Sequence, residues 1–411
     1  MIDYQTLGVV AGFLFLYSVI ASRLERTPIN GALVYMTFGV VCGPVGFGII
    51  DLNVDGEGLS TLAELTLALV LFTDSANADL TVLRRTSQIP LRLLLIGLPM
   101  TIVLGIGVGM LVFDGLGFFE VALLATMLAP TDAALGKAVV TNAAVPAPVR
   151  EGLNVESGLN DGICVPVILI FLALAAGDVS GSEAAGLARW LPVEAIGVGV
   201  VVGAVFAIVG ERVLKLFAQW KWVTETWVQV PVVALAMLCF ACAQALGGSG
   251  FIAAFVGGLV FGGLARNNKE KEHVLRPAEG AGDTFALVTW VVFGAAVVGQ
   301  HIDKLSWQVI VYAISSLTVI RIVPVMVCLG GLGMGMDSKL FIGWFGPRGL
   351  ASIVFLVMAL DKELAGNDIL LEAVLATVVL SIIAHGLSAN PAARAYAARL
   401  SRSASGGSVA A

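Results

Sequence analysis

The sequence predicts an all-α protein that crosses a lipid bilayer many times, and three observations predict it. Hydrophobic residues make up 58% of the 411 residues and charged residues only 13%, about half the charged share of a soluble domain. Apolar runs long enough to cross a hydrocarbon core of about 30 Å recur along the chain. These runs lack the alternating pattern of a membrane barrel, so the backbone must be helical to satisfy its own hydrogen bonds in lipid. A soluble enzyme, a nucleic-acid-binding protein and a disordered protein are excluded.

The apolar runs between charged and turn residues predict thirteen transmembrane helices. The first follows Met1-Ile2-Asp3-Tyr4, which lacks the basic start of a signal peptide, so we expect this helix to be retained. The fifth and twelfth runs each contain a Gly/Pro break, and the ninth is short. The predicted helices cover residues 6–22, 29–50, 59–73, 89–113, 117–140, 149–176, 192–217, 223–246, 250–265, 284–300, 306–330, 338–360 and 369–390.

The basic residues fit thirteen crossings that begin outside the cell. The predicted cytoplasmic loops then hold 18 of the 23 lysine and arginine residues, the outside loops hold three, and Arg321 and Arg348 remain inside helices. This bias follows the positive-inside rule. We therefore expect an integral protein of a bacterial-type inner (plasma) membrane, with its N-terminus outside and its C-terminus in the cytoplasm. Residues 1–400 are predicted to form one transmembrane domain and residues 401–411 a disordered cytoplasmic tail.

The two breaks occupy corresponding places in the chain. They are Ala129-Pro130-Thr131-Asp132 and Gly346-Pro347-Arg348-Gly349. An odd helix number suggests two six-helix halves of opposite orientation joined by a linker helix, and each break then falls in the fifth helix of its half. Paired interruptions of this kind indicate a transporter binding site near the bilayer midplane.

Acceptor oxygens are concentrated at the start of the sixth predicted helix, in residues 154–161 (Asn-Val-Glu-Ser-Gly-Leu-Asn-Asp). At helical spacing, Ser157 and Asp161 share one face. Glu156 and Asn160 share the adjacent face. Ionisable groups buried in lipid cost several kcal/mol each, so these acids need a partner or a function.

The break at Pro130 frees backbone carbonyls beside this helix, because proline removes a donor and clashes with the preceding turn. Hard cations such as Na⁺ prefer carboxylate, hydroxyl and carbonyl oxygens. The alternative is a buried polar network that only fixes helix packing. The candidate Na⁺ ligands are Thr131, Asp132, Ser157 and Asp161.

Two arginines lie within predicted helices, and we expect structural roles for both. Arg321 cannot lose its proton and must find an anion, for which Glu156 is the natural partner, leaving Asp161 to titrate. Arg348 lies in the second break, where free carbonyl ends carry negative partial charge. Asp74 and Asp79, near the end of the third helix, are interpreted as cytoplasmic-edge residues.

Other chemistries lack support in the sequence. The three histidines are scattered without an H-E-x-x-H motif, so a zinc protease is not indicated. Residues 330–335 (Gly-Gly-Leu-Gly-Met-Gly) fail the spacing of a dinucleotide-binding loop. Cys239 and Cys242 lie within an apolar run and are interpreted as packing residues. No cofactor is expected.

At these motifs the sequence resembles the NhaP-type sodium/proton antiporters of the monovalent cation:proton antiporter superfamily. The resemblance covers nearly the whole chain. It departs at Ala133, where many relatives have proline. It implies thirteen helices in two inverted six-helix repeats, with helices 5 and 12 broken and crossed. It also implies a homodimer with elevator-type alternating access.

The resemblance also implies how the helices divide into two parts and which residues form the ion site. It implies a core of helices 4–6 and 11–13, about 89–176 and 306–390, and a dimerisation part of helices 1–3 and 7–10. It makes Asp161 the cation- and proton-binding carboxylate and Glu156–Arg321 a stabilising ion pair. The residues that it places around Asp161 are Thr131, Asp132, Ser157 and Asn160.

The expected function is secondary antiport of Na⁺ against H⁺, with Li⁺ and K⁺ as further candidate cations and no enzymatic activity. One titrating carboxylate, preceded by the neutral Asn160, predicts electroneutral one-for-one exchange. Two alternatives remain open. A sodium-coupled solute symporter would share the broken helices, and an intramembrane aspartyl protease would use Asp132 and Asp161 as a catalytic dyad.

Overall fold

The computed structural model describes residues 4–406 apart from short stretches, and every regular element in the described chain is helical. Eight of the described helices are long and apolar enough to cross a membrane, and four shorter helices are also apolar. The all-helical membrane fold predicted from composition is therefore confirmed. The stretches that are not described, besides the two ends of the chain, are residues 25–26, 28–29, 51–56, 79–87, 141, 143, 178–181, 221, 223, 225–226, 265–267 and 363.

The helices are named α1 to α16 in chain order. Two contain a π-helical segment, Leu93–Gly97 in α4 and Phe293–Val298 in α11. Their bounds are α1 Tyr4–Leu24, α2 Gly31–Cys42, α3 Glu57–Asn77, α4 Gln88–Val112, α5 Phe118–Met127, α6 Ala133–Val140, α7 Ala147–Ala175, α8 Ser182–Gln219, α9 Pro231–Ala245, α10 Gly250–Leu264, α11 Asn268–Val292 continued to residue 301, α12 Trp307–Leu317, α13 Val319–Cys328, α14 Met336–Trp344, α15 Leu350–Leu360 and α16 Asn367–Gly406.

Several boundaries differ from the predicted ones for local reasons. The predicted run 306–330 is divided at Thr318, six residues before Pro324, which cannot donate a backbone hydrogen bond. The predicted run 284–300 is the second half of α11, since polar residues continue the helix beyond the apolar segment. Residues 401–406, assigned to a disordered tail, are the end of α16, which runs on through an alanine-rich stretch of high helix propensity. Residues 407–411 lie outside the described chain.

Each predicted break separates two short helices. Helices α5 and α6 flank the first break, and α14 and α15 flank the second. The two breaks touch, because the N–H of Asp132 donates to the carbonyl of Pro347 over 2.8 Å. Helix α7 packs against α5 and α6, and α16 packs against α6, α12 and α15. The breaks are thus enclosed by long helices on both sides.

Glycines bring a second group of helices close together. Helix α10 packs against both α3 and α8. A methyl group on Gly258 or Gly262 of α10 would overlap the α3 backbone, and one on Gly203 of α8 would overlap α10 at Ala253. Small residues let membrane helices approach at this distance. Helices α3, α8 and α10 therefore form one tightly packed unit, and α7 lies against all three.

Candidate functional site

The first break exposes the carbonyl end of α5, and residues of the second break occupy it. Arg348 is fully buried, and its Nη1 donates to the carbonyl oxygens of Ala129 and, over 3.0 Å, of Pro130. The hydroxyl of Ser352 in α15 donates to the carbonyl of Met127 over 2.8 Å. The guanidinium thus lies at the negative end of the α5 dipole. The sequence predicted that Arg348 would face free carbonyl groups. It did not predict that these carbonyls belong to the opposite break.

Asp132 joins the N-terminal ends of two half-helices. Its carboxylate accepts the N–H of Leu135 in the first turn of α6 and the N–H of Leu350 at the start of α15, each over 3.0 Å. A carboxylate at this position satisfies orphan donors and interacts favourably with the positive end of a helix. Gly349 makes the approach possible, because a Cβ there would overlap the Asp132 carboxylate. Both oxygens of this predicted cation ligand therefore contact backbone amides.

A hydroxyl and amide cluster connects the first break to α7. The hydroxyl oxygens of Thr131 and Ser157 lie 2.9 Å apart, and the amide Nδ2 of Asn160 donates to Thr131 Oγ1 over 2.7 Å. Thr131 and Asn160 are each 1% exposed. The Asn160 Oδ1 atom is buried and accepts no hydrogen bond from the described residues. The structure thus brings these three predicted site residues together.

Glu156 and Arg321 form a buried ion pair. The two guanidinium nitrogens of Arg321 donate to the two carboxylate oxygens of Glu156 over 2.6 and 2.8 Å, and both residues are at most 2% exposed. This bidentate geometry is the strong form of the arginine–carboxylate interaction. Gly346 of the second break lies beside the pair, where a Cβ would overlap Arg321 Nε.

Asp161 lies one turn further along α7 and has a different environment. It is 8% exposed, and its Oδ1 atom is buried without a hydrogen-bond partner among the described residues. A buried polar group without a partner is energetically costly, and a carboxylate can be satisfied there by a proton or by a cation. Asp132 and Asp74 are the acids whose charges act on it.

Asp74 is a site neighbour that the sequence analysis underrated. It belongs to α3, and a Cβ on Gly158 of α7 would come within 3.3 Å of the Asp74 carbonyl oxygen. The charges of Asp132, Asp283 and Glu279 act on the Asp74 carboxylate. Helix α3 continues to Asn77, beyond the predicted end at residue 73, so Asp74 lies within the helix and not after it. Asp79, the other acid interpreted as an edge residue, lies outside the described residues.

The oxygens around Asp161 suit a hard monovalent cation better than a transition metal. Among the described residues, no three His, Cys, Asp or Glu side chains converge to bind a metal. The donors at hand are one carboxylate, the hydroxyls of Thr131 and Ser157, and the amide oxygen of Asn160. Such neutral and anionic oxygens are ligands that alkali cations accept.

Comparison with known proteins gives one family. The family model described as "Sodium/hydrogen exchanger, transmembrane" matches residues 10–395. The K(+)/H(+) antiporter NhaP2 of Shewanella sp. (strain MR-4) is 22% identical over 390 residues, which cover 94% of this chain and 66% of that protein. The Na(+)/H(+) antiporter NhaG of Bacillus atrophaeus is 26% identical over 275 residues, 65% of this chain and 51% of that protein. The chain thus spans just under two thirds of the length of the first relative and half that of the second.

Two solved structures share the fold. The structure of the sodium proton antiporter MjNhaP1 from Methanocaldococcus jannaschii at pH 8 superposes with a TM-score of 0.73 at 19% identity, covering 93% of this chain and 98% of that chain. An electron-microscopy structure of the same protein gives a TM-score of 0.74 at 20% identity, covering 96% and 98%. The agreement covers nearly the whole of both chains, so the arrangement of helices is shared.

Proposed function

The chain belongs to the sodium/hydrogen exchanger family, and from this premise we propose that it is a secondary antiporter that exchanges a monovalent cation for protons across a membrane. The observation that carries the proposal is Asp161. Its buried Oδ1 has no partner among the described residues, whereas Glu156 on the same helix is paired with Arg321. One carboxylate is thus left to bind either substrate.

We propose that proton and cation compete for this carboxylate. A protonated Asp161 has no charge to hold a cation, and a bound cation prevents protonation. The hydroxyls of Thr131 and Ser157 can turn their lone pairs towards a cation, since a hydroxyl both donates and accepts. Asn160 fixes the side chain of Thr131 by donating to it, and its own Oδ1 remains available. These residues would replace the water lost by the cation.

The transport movement is proposed from the fold. We infer thirteen crossings in two inverted six-helix repeats, a homodimer, and elevator-type movement of a core built from α4–α7 and α12–α16. The contacts of Asp132 with Leu350 and of Arg348 with Ala129 support this inference, because they join the two breaks into one body. The dimerisation part would contain α3, α8 and α10. The N-terminus would lie outside an inner membrane and the C-terminus in the cytoplasm.

We propose Na⁺ as the exchanged cation, with Li⁺ and K⁺ to be compared directly. The relatives carry the names of Na⁺/H⁺ and K⁺/H⁺ antiporters, so the family alone leaves the choice between these cations open. One-for-one exchange is proposed because a single carboxylate titrates in each cycle. Asp132 is not counted as a carrier, since its oxygens accept two backbone amides.

Two other functions are less favoured by the same contacts. An aspartyl protease dyad needs two acids that share one proton, but Asp132 is engaged with the N–H groups of Leu135 and Leu350. A solute symporter would need donors for an organic substrate, whereas the Asn160 amide donates to Thr131 and leaves its buried Oδ1 as an acceptor.

The proposal is tested with everted membrane vesicles that carry a pH-sensitive dye. Addition of Na⁺, Li⁺ or K⁺ is expected to release protons from acidified vesicles that contain the wild type, and not from vesicles that contain Asp161→Asn. Lowering the pH is expected to raise the half-saturating cation concentration, because protons compete for the same carboxylate. A proton flux that required an organic solute would support the symporter instead. A wild type without any cation-dependent proton flux would refute antiport.

A further inference from the structure

Three polar side chains of α16 face the second break. Ser381, His385 and Ser388 are spaced at i, i+4 and i+7 and therefore share one face of the helix. Ser381 and His385 are buried, at 0% and 2% exposure. In the sequence, His385 is one of three scattered histidines that form no zinc-protease motif. In the structure it lies at the centre of a polar row within an otherwise apolar segment.

Each residue of this row contacts the ends of the helices at the break. Ser381 Oγ accepts the backbone N–H of Arg348 over 2.7 Å. His385 Nε2 lies 2.8 Å from the carbonyl oxygen of Trp344, the last residue of α14. The indole N–H of Trp344 donates to Ser388 Oγ over 2.9 Å. The row thus contacts two atoms of Trp344 at the end of α14 and the backbone N–H of Arg348, two residues before α15.

The partners of His385 favour one tautomer. Ser381 Oγ already accepts from Arg348, so its proton can be donated to His385 Nδ1, 3.2 Å away. Nε2–H then donates to the Trp344 carbonyl. His385 Nδ1 also lies 2.9 Å from the Ser381 carbonyl, but a proton on Nδ1 would turn the Nε2 lone pair towards the Trp344 oxygen. Of the two neutral tautomers, the Nε2–H form is the one in which the Arg348 N–H, the Ser381 hydroxyl and the Trp344 carbonyl all have partners.

We propose that His385 is a positioning residue for the ion site, which fixes the end of α14 and, through Ser381, the backbone of Arg348. A series of contacts connects this row to the residues around Asp161. The Arg348 guanidinium contacts the carbonyls of Ala129 and Pro130, and the next residue, Thr131, contacts Ser157 and Asn160. A shift of the chain between α14 and α15 would therefore reach the Thr131 hydroxyl, one of the proposed cation ligands.

Two variants distinguish the hydrogen bonds of His385 from the volume that its side chain fills. His385→Leu introduces an apolar side chain of similar size and removes both ring nitrogens, while His385→Gln retains a donor for the Trp344 carbonyl. The matched control is His301, whose Nδ1 contacts the carbonyl oxygen of Val297, one turn earlier in its own helix. His301→Leu and His301→Gln receive the same treatment.

The first measurement is deuterium exchange of the purified full-length protein, which does not depend on transport. His385→Leu is expected to accelerate amide exchange in peptides covering residues 344–350 and also residues 129–132. His385→Gln and both His301 variants should leave these peptides as in the wild type. Acceleration confined to 344–350 would overturn the proposal, since the first break would then be held independently of His385.

The second measurement is cation-dependent proton flux, and this part rests on the proposed function. For His385→Leu we expect the half-saturating cation concentration to rise about tenfold, within the range of about 5- to 150-fold seen for coupled sites. His385→Gln should restore it to within about threefold of the wild type, a loss of less than about 1 kcal/mol. An unchanged half-saturating concentration in His385→Leu would refute the positioning role.

A third variant tests the proposal if His385→Leu folds poorly. Ser381→Ala removes the acceptor for the Arg348 N–H and leaves the histidine in place, so it should accelerate exchange at 129–132 as His385→Leu does. Wild-type exchange there in Ser381→Ala would contradict the proposal. Should the wild type itself show no cation-dependent flux, antiport fails as the function, but the deuterium-exchange comparison still decides the role of His385.

Discussion

The buried ionisable side chains of the site differ in how their charges are satisfied. Glu156 and Arg321 neutralise each other, and Arg348 faces carbonyl oxygens at the end of α5. Asp132 accepts backbone amides at two helix starts. Asp161 has a buried oxygen without a partner in the described chain. In the proposed function, the Asp161 carboxylate binds the substrates and the other charges hold the geometry around it.

Asp161→Asn is expected to abolish exchange and leave the protein folded. The neutral amide keeps the shape of the carboxylate but can neither bind a proton nor hold a cation by charge. Exchange is measured in proteoliposomes with an imposed pH gradient. The matched control is Asp337→Asn, at an exposed aspartate that pairs with Arg399, which should exchange like the wild type. Wild-type rates in Asp161→Asn would exclude this residue as the carrier.

Arg321→Ala is expected to lower stability by about 3–5 kcal/mol, because it strands a buried carboxylate. The thermal midpoint of detergent-purified protein should fall further than in Asp161→Asn. The double variant Glu156→Gln with Arg321→Gln should recover part of the loss.

The control for this prediction is the exposed pair of Arg399 and Asp337, whose side chains are 67% and 51% exposed. Exposed pairs contribute about 0–1 kcal/mol, so Arg399→Ala should leave the midpoint nearly unchanged. Strictly additive effects of the two glutamine changes at 156 and 321 would mean that these residues do not stabilise each other.

At the scale of the element, α7 meets its neighbours through glycines on either side of Asp161. Gly158 faces the backbone of α3 at Asp74, and Gly162 faces the ring of Phe255 in α10. Asp161 is therefore flanked by two close contacts of α7 with the unit formed by α3, α8 and α10. A side chain at either glycine would move α7 away from that unit.

Gly162→Ala is expected to destabilise the protein by about 1–3 kcal/mol, the usual effect of overpacking a filled interface, and to slow exchange. A Cβ at 162 would overlap the Phe255 ring, so removing the ring in Gly162→Ala/Phe255→Ala should restore part of the lost rate. Thermal midpoints and proteoliposome exchange report the two effects.

Gly107→Ala is the matched control for this prediction, since a Cβ there meets nothing within 4 Å. It should exchange at the wild-type rate. If Phe255→Ala left the Gly162→Ala defect unchanged, the contact between the two residues would not be its cause.

The fold and the site were predictable from the sequence to different extents. The apolar runs predicted the helical membrane fold, and the motifs around Asp161 predicted the family, which the match over residues 10–395 confirms. The rule that an arginine buried in a membrane needs an anion also identified Glu156 as the partner of Arg321. The contacts of Asp132 with Leu350 and the row on α16 could not be predicted, because they join residues 218 and 33–41 positions apart. Spacing within one helix carries no information about contacts between helices.

At the scale of the whole molecule, the two breaks and the helices around them act as one body. Arg348 satisfies the carbonyl end of α5 and Asp132 satisfies the amide ends of α6 and α15. The breaks therefore cannot separate without leaving helix ends unsatisfied in a low dielectric. In the elevator-type movement proposed above, both breaks would therefore move together against α3, α8 and α10.

One-for-one exchange predicts that membrane voltage has no thermodynamic effect on transport. If one net charge crossed the membrane in each cycle, the voltage would change the free energy of transport by about 2.3 kcal/mol per 100 mV. Electroneutral exchange moves no net charge, so this contribution is zero. The measurement uses sealed proteoliposomes in which K⁺ and valinomycin set the voltage, after K⁺ has been shown not to be transported. The Na⁺ gradient that balances a fixed pH gradient should be the same at every voltage. A balance point that shifts with voltage would bring in Asp132 as a second proton carrier.

The distance along the chain between Glu156 and Arg321 has a consequence for biosynthesis. They are 165 residues apart, so at a translation rate of about 5–20 residues per second the acid is made about 8–33 s before its partner. Ribosome-bound chains that end before residue 321 should therefore be held back from the lipid, and Glu156→Gln should release them; equal retention of both would contradict this. The first half of the protein is thus synthesised with an acid whose partner lies in the second half, so the second half would assist the membrane assembly of the first.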